Sequence, residues 1–310
     1  MILMDTSKPS TTDFFENLIE HLHDAIIFLD AEKKIILWNH GAEETTGLKK
    51  NEIIGRRCFE NILIHRENES LQICTTCCPV DQTLSDGQVR AYDVYLQHKE
   101  GFRLPVAMRI LPIFDREKNI IGAVETFYDT SPKIFIPQKM DELKKMNLLD
   151  PETDLANRKY LEIQLKLRLD EMQKHKTPLG ILLIEIDNFS TFNEMHGKDI
   201  ENQVLRMVSR TLEKNIRFFD VVGHWDAERF LIIIFNINES KLDLVANKLR
   251  LLVSQSSIQH ESKLLGVTVS IGAAVAVLRD NSDSLLRKAQ NLLKLSKRFG
   301  GNKVSIQFME

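Results

Sequence analysis

Four cysteines, Cys58, Cys74, Cys77 and Cys78, are the residues best equipped for soft-ligand or thiol chemistry, and all lie in the first half of the chain. With His65 nearby they could ligate zinc or an iron centre. The spacing Cys74-x-x-Cys77 lacks a second matching pair, so three readings stand side by side: small buried thiols, a metal or cluster site, and a redox-switching pair. Clustered cysteines in a chain with no visible signal peptide point to thiols or ligands rather than a disulfide framework. The second constellation is Arg217-Phe218-Phe219-Asp220. An arginine fork and a carboxylate three residues apart offer donors to acceptor edges and an acceptor to N–H donors. A solvated Arg–Asp pair at a helix end is the plainer reading of the same residues.

The elements that must position these groups follow from composition and periodicity. At about 150 residues per domain, 310 residues suggest two domains. A hydrophobic share of 43% and a charged share of 27% are ordinary for globular chains. The net charge of -3 argues against a dedicated nucleic-acid binder. Apolar runs such as Ile181–Ile184 and Phe230–Phe235 fall far short of the ~20 residues of a membrane span. Met1–Ser10 carries acidic Asp5 and no basic–apolar–small pattern, so a cytoplasmic protein is expected. Residues 1–135 hold 15 basic and 21 acidic side chains, whereas 136–310 hold 26 and 23. The junction contains Ser131-Pro132 and Ile136-Pro137, which discourage continuous helix. Beyond it, Met140, Leu143 and Met146 at spacing three predict a short connecting helix.

In the first half, Phe15, Leu18, Ile19 and Leu22 predict an opening helix. Strands are expected at Ala25–Asp30 and Lys34–Trp38, then helices over Asn39–Leu48 and Asn51–Cys58. Strands at Ala91–His98, Arg103–Phe114 and Ile120–Tyr128 complete an α+β unit with one antiparallel sheet. In the second half the pattern predicts a helix at Tyr160–Lys174, a buried strand at Leu179–Ile186 and a helix at Ile200–Asn215. A hairpin of Val221–His224 and Phe230–Phe235 follows. A helix at Leu242–Val253, a strand at Gly266–Ala276, a helix at Ser284–Phe299 and a strand at Lys303–Phe308 close the chain.

The first half resembles a PAS domain through Asp24–Asp30, Trp38-Asn39, the Ala42–Gly47 helix and Glu52-Ile53-Ile54-Gly55-Arg56. It is similar to those PAS domains that precede cyclic di-GMP enzymes and carry a Cys-x-x-x-Cys-Pro motif, here within Cys74–Pro79. The second half resembles a GGDEF (diguanylate cyclase) domain. The matching residues are Asp150, Thr153, Asp154, Asn157 and Arg158 at its entry, Ile186-Asp187-Asn188-Phe189 with Asn193 and Gly197, Val267–Gly272, and Lys297 with Gly300 and Asn302. The implied architecture is a PAS sensor at 13–130, a linker with a short helix at 131–149, and a GGDEF domain at 150–310. That domain is expected to have a nucleotide-cyclase-like, ferredoxin-like core, a mixed sheet flanked by helices.

Where the resemblance expects Gly-Gly-Asp/Glu-Glu-Phe, this chain reads Asp226-Ala227-Glu228-Arg229-Phe230. The family's glycines admit the GTP phosphates because any side chain would fill that space. Asp226 adds a negative charge there; at an effective dielectric near 20, like charges ~4 Å apart repel by about 4 kcal/mol. Arg229 reverses the charge of the fourth position. The resemblance makes Glu185, the Ile186 backbone and Glu228 the metal ligands, with Mg expected only if GTP binds. It makes Asn193, Asn202 and Lys297 the residual GTP contacts, although Asn202 replaces an Asp, Lys198 a His and Gly301 an Arg.

Arg217 and Asp220 match the family's inhibitory Arg-x-x-Asp site for cyclic di-GMP, with Lys248 and Arg250 as further cations. The PAS resemblance adds an interior that could hold haem, flavin or a metabolite, with His21, His23 and His40 as axial candidates and Trp38 and Phe28 as core. The resulting expectation is a cytoplasmic signalling protein that binds cyclic di-GMP, or a downstream protein partner, rather than synthesising it. A weak diguanylate cyclase and a ligand-free dimeric scaffold are the alternatives. The resemblance also implies homodimerisation, with the Phe15/Leu18/Ile19/Leu22 and Met140/Leu143/Met146 stripes each pairing with a copy of itself or packing on its own domain; no membrane insertion and no nucleic acid are expected.

Overall fold

The computed structural model describes residues 11–58, 66–67, 71–72, 78–131, 146–217, 219–261 and 263–307. The chain divides into two compact units, Met1–Lys99 with Pro105–Thr130, and Glu100–Leu104 with Ser131–Glu310. Cys74, Cys77, His65, Phe218 and the linker residues Met140 and Leu143 lie outside the described residues.

The first unit comprises α1 (Thr11–Glu20), β1 (Ala25–Asp30), β2 (Ile35–Trp38), α2 (His40–Thr46), α3 (Lys50–Ile53), the two-residue strands β3 (Arg66–Glu67) and β4 (Leu71–Gln72), α4 (Pro79–Asp86), β5 (Arg90–Gln97), β6 (Arg103–Phe114) and β7 (Ile120–Asp129). These strands form one sheet in the order β2-β1-β7-β6-β5-β3-β4. Alternation in β1 buries Ala25, Ile27 and Leu29, as a half-covered strand requires. Asn39 stitches the unit together: its Oδ1 accepts from Ile26 N and Ala42 N at 2.8 and 3.0 Å, and its Nδ2 donates to the carbonyls of Ile19, Leu22 and Asp24. It thereby caps α2 while closing the loop after α1. Trp38 is fully buried and donates Nε1–H to the Leu48 carbonyl, whereas Phe28 is half-buried.

In the second unit follow α5 (Arg158–His175), β8 (Leu179–Ile186), α6 (Phe189–His196), α7 (Lys198–Lys214), β9 (Val221–Asp226), β10 (Arg229–Phe235), α8 (Glu239–Ser254), β11 (Ser257–His260), β12 (Lys263–Gly266), β13 (Val269–Val275), α9 (Ser282–Arg298) and β14 (Val304–Ile306). The main sheet runs β14-β13-β8-β10-β9, with only β13–β14 parallel, and β11–β12 form a separate ribbon. Seven of the eight residues of β8 are buried, which fits its continuous apolar run and its central place. One face of this sheet packs Leu161, Leu165 and Leu169 of α5 and Leu285, Ala289 and Leu293 of α9 onto Ile181, Leu183, Leu231 and Ile233. At Gly272 of β13 a Cβ would sit 2.1 Å from the Ala289 carbonyl, so the helix rests directly on bare backbone.

Several elements differ from expectation. The short α4, with Pro79 at its first turn, the helix α6 and the β11–β12 ribbon have no counterpart in the apolar periodicity, because each is short and largely polar. The expected helix over Asn51–Cys58 is only the four-residue α3. Phe15 and Leu18 of α1, and Leu22 just beyond it, are exposed, one of the two arrangements the sequence left open. Among the described residues, no helix is long and apolar enough to cross a membrane.

Candidate functional site

The central strand β8 ends in Glu185-Ile186-Asp187, and its neighbours in the sheet decide what faces those residues. Antiparallel register sets Arg229 of β10 opposite Glu185 on one side and Ser270 of β13 opposite it on the other. Directly opposed residues hold their Cβ atoms about 5 Å apart. The β9–β10 hairpin turns in two residues, Ala227 and Glu228, between the paired Asp226 and Arg229. A turn this tight needs positive φ, and Ala227 supplies it at +25° despite its Cβ.

The two side chains flanking that turn meet each other. Arg229 donates Nε–H to Asp226 Oδ1 at 2.6 Å and Nη2–H to Oδ2 at 2.5 Å, a bidentate fork. The Asp226 carboxylate, above all, holds the guanidinium above its usual basicity; burial opposes this, and the charges of Glu185 and Glu228 reinforce it. Lys297 of α9 forms an ion pair with Glu185. The substituted signature is thus a mutually satisfied acid–base pair beside a second one. Asp187 is fully engaged in structure: its carboxylate accepts from Thr268 Oγ1 at 2.7 Å, Ser270 Oγ at 2.6 Å and Asn302 N at 2.8 Å.

The hairpin is also braced from below by residues whose roles the sequence did not reveal. His224 is buried in β9, with Nδ1 3.1 Å from Asp150 Oδ2 and Nε2 3.0 Å from the Ala227 carbonyl at the turn. Burial works to raise the Asp150 carboxyl, but hydrogen bonds from Thr153 and His224 outweigh it and hold it below the usual range. A histidine inside an otherwise apolar strand was the available signal.

The residues expected to contact GTP lie near the same strand end. Asn193 of α6 and Asn202 of α7 are half-buried. The Asn202 Oδ1 is buried with no hydrogen-bond partner among the described residues. Gly301 adopts φ +73° and a Cβ there would approach the Asp187 carboxylate to 3.2 Å. Arg250 does not join the Arg217 region but donates to Asn302 Oδ1 at 2.8 Å.

A divalent ion expected at Glu185, Ile186 and Glu228 would meet Arg229 and Lys297. At an effective dielectric near 20, a guanidinium ~5 Å from a dication costs on the order of 7 kcal/mol. The residues present do not fit a magnesium ion. Among the described residues, no group of three or more His, Cys, Asp or Glu side chains is arranged for a metal.

The Arg217/Asp220 constellation lies at the other end of β9. Asp220 N donates to the Arg217 carbonyl at 3.1 Å, and the Asp220 carboxylate accepts from Arg217 N at 3.3 Å and Phe235 N at 3.1 Å. Burial pushes the Asp220 carboxyl up against the pull of those N–H groups and of the Arg217 charge. Its oxygens keep further lone pairs, and the Arg217 side chain is exposed. Lys248 Nζ donates to the Asn215 carbonyl at 3.4 Å, two residues before Arg217, and burial lowers its basicity. Beside Asp220 opens a cleft of about 400 Å³ whose walls include Phe219, Phe235, Arg168 and His175. Arg168 lies 4.1 Å above the Phe235 ring.

In the first unit His21, His23 and His40 are exposed, and His40 pairs with Glu44. Cys58 is buried and Cys78 half-buried. Lys33 lies within the electrostatic reach of both and is raised overall: burial lowers it, but Asp81 and the two thiols act the other way.

Residues 147–303 match the family described as diguanylate cyclase, GGDEF domain, and residues 23–132 match the PAS domain family. The response regulator PleD of Caulobacter vibrioides is 30% identical over 173 residues, covering 55% of this chain and 38% of PleD. Diguanylate cyclase DosC of Escherichia coli is 27% identical over 159 residues, 51% of this chain and 35% of DosC. The cyclic di-GMP phosphodiesterase PdeR of the same species is 21% identical over 93% of this chain and 42% of its own length. The chain therefore spans well under two thirds of these relatives. Among solved structures, the GGDEF domain of DgcB from Caulobacter crescentus in complex with c-di-GMP has 26% identity and a TM-score of 0.50, covering 51% of this chain and 95% of that one. Diguanylate cyclase SiaD in complex with its activator SiaC from Pseudomonas aeruginosa has 25% identity and a TM-score of 0.51, covering 55% and 67%.

Proposed function

This chain belongs to the GGDEF diguanylate cyclase family and carries a PAS domain ahead of the GGDEF domain, and from that premise we propose that it is a cytoplasmic receptor for cyclic di-GMP rather than a cyclase. The observation that carries this reading is the bidentate Asp226–Arg229 pair, which fills the turn where a triphosphate would need bare backbone. Loss at the turn contrasts with retention at Arg217 and Asp220. There an exposed guanidinium, a carboxylate with spare lone pairs and the Phe219/Phe235 cleft offer donors, acceptors and an aromatic surface to a guanine base. Lys248 adds a cation beside Arg217. A solved relative, the DgcB domain, is in complex with c-di-GMP. The match of both units to a protein named a phosphodiesterase argues against transferring a cyclase activity by name alone.

The PAS domain is the proposed input, with Cys58 and Cys78 as its thiols, and the receptor acts as a homodimer on a downstream protein partner. Isothermal titration with cyclic di-GMP decides the matter. A Kd of about 10 µM or tighter, roughly −7 kcal/mol, and its loss in Arg217→Ala are expected. No binding at that level, or an unchanged affinity in the variant, refutes the receptor.

One observation favours a second reading. The Asn202 Oδ1 has no hydrogen-bond partner among the described residues, and a side-chain rotation that uncovers it would let Asn193, Asn202 and Lys297 receive GTP, with weak turnover. Incubation with GTP and Mg²⁺ or Mn²⁺, followed by chromatography for cyclic di-GMP, separates the two.

A further inference from the structure

We propose that Arg229 takes the place of the divalent cation of the GGDEF site, with Lys297 pairing Glu185, so that the site excludes Mg²⁺ and Mn²⁺. This concerns the turn end of the hairpin and stands independently of cyclic di-GMP binding at Arg217.

Three observations carry it. The sheet register sets Arg229 directly opposite Glu185 on the neighbouring strand. Its bidentate hold on Asp226 fixes the plane of that guanidinium, and the same charge acts on Glu185 and Glu228. Lys297 then takes Glu185 from the helix side. A magnesium ion asks for six oxygens in near-octahedral array and gives up water reluctantly. Here Asp187 already accepts from two hydroxyls and a backbone N–H, and the Glu228 carbonyl accepts from Ile186 N at 3.1 Å. What remains is the Ile186 carbonyl and two carboxylates, one of them paired with Lys297 and both under the charge of Arg229. The changes at positions 226 and 229 are thereby one event in physical terms. The added acid holds the added base, and the added base serves as the metal's charge without its coordination sphere.

Manganese provides a probe independent of turnover. Mn²⁺ titration of the full chain at pH 7, read by electron paramagnetic resonance, is compared among wild type, R229Q/K297Q, and that variant with E185Q added. The wild type is expected to leave Mn²⁺ free up to about 1 mM, the weak end of protein sites. R229Q/K297Q is expected to bind one ion per chain at least roughly tenfold more tightly, and E185Q to abolish the gain. The melting temperature should follow, unmoved by Mg²⁺ in the wild type and raised by it in R229Q/K297Q. Wild-type Mn²⁺ binding below about 0.1 mM that disappears in E185Q overturns the proposal. So does a folded R229Q/K297Q that gains no ion. If that double variant loses its far-UV circular dichroism, R229Q alone is measured against the same two outcomes.

Discussion

The pairing of Asp226 with Arg229 can be weighed by a double-mutant cycle. Two opposite charges ~4 Å apart at an effective dielectric near 20 attract by about 4 kcal/mol before any cost. Freezing an arginine and an aspartate removes on the order of 2 kcal/mol of side-chain entropy. Both side chains are about a third exposed, 32% and 30%, so part of the attraction is screened. A coupling of about 1–2 kcal/mol follows, above the ~0.2–1 kcal/mol of fully exposed pairs and below the ~3–5 kcal/mol cost of breaking a buried one. Trp225 adjoins Asp226 on β9 and is buried beneath the Arg158 guanidinium, so its fluorescence reports this end of the second unit. The only other tryptophan is Trp38, and a Trp38→Phe background isolates the signal. Urea unfolding of that background, Asp226→Ala, Arg229→Ala and the double variant gives the coupling directly. Salt at 1 M, where the Debye length is ~3 Å, should reduce it without removing it. A coupling below ~0.3 kcal/mol lies within ordinary additivity, and the picture of a hairpin locked by its own charge pair would then fail.

Two other positions carry expected outcomes. Ala227→Gly removes a Cβ from a residue held at φ +25° and should raise stability by about 0.5–1 kcal/mol, read as a higher melting temperature; a lower one would contradict the strain at this turn. Asp280 is nearly fully buried, and although burial raises its carboxyl, Lys288, Val277 N and Ser284 outweigh that and hold it below the usual value. A depressed carboxyl stabilises the fold above the unfolded pKa of about 4 and loses that contribution as pH falls through the folded value. The stability gap between wild type and Asp280→Asn should therefore be full at neutral pH and close in acid, and a gap independent of pH would refute it.

Long apolar strands were legible in the sequence: Ala25–Asp30, Arg103–Phe114 and Leu179–Ile186 have the same limits in the structure, because burial on one or both faces writes itself into side-chain type. The helix Phe189–His196 was not, since it begins from Asn188 in the left-handed region and carries only Phe189 and Phe192 into the core. At the candidate site, single positions were readable and partnerships were not. Asp226 reads as a repelling acid and Arg229 as a reversed charge. That they neutralise each other depends on a two-residue turn and its register, which bring i and i+3 face to face. Lys297, matched to a phosphate contact, instead meets Glu185 because the last turn of α9 ends beside the β8 terminus. His224 joins Asp150 to the turn across 74 residues of sequence, a link that no local pattern encodes.

Gly301 limits what the loop after α9 can carry. The backbone there is left-handed and abuts the Asp187 carboxylate, in a stretch followed by Asn302 at φ +48°. An arginine installed at this position would carry ~1–2 kcal/mol of conformational penalty and crowd the acid that anchors the strand. Bulk at this position would therefore be felt at the end of β8, through the Asp187 carboxylate that Thr268 and Ser270 hold.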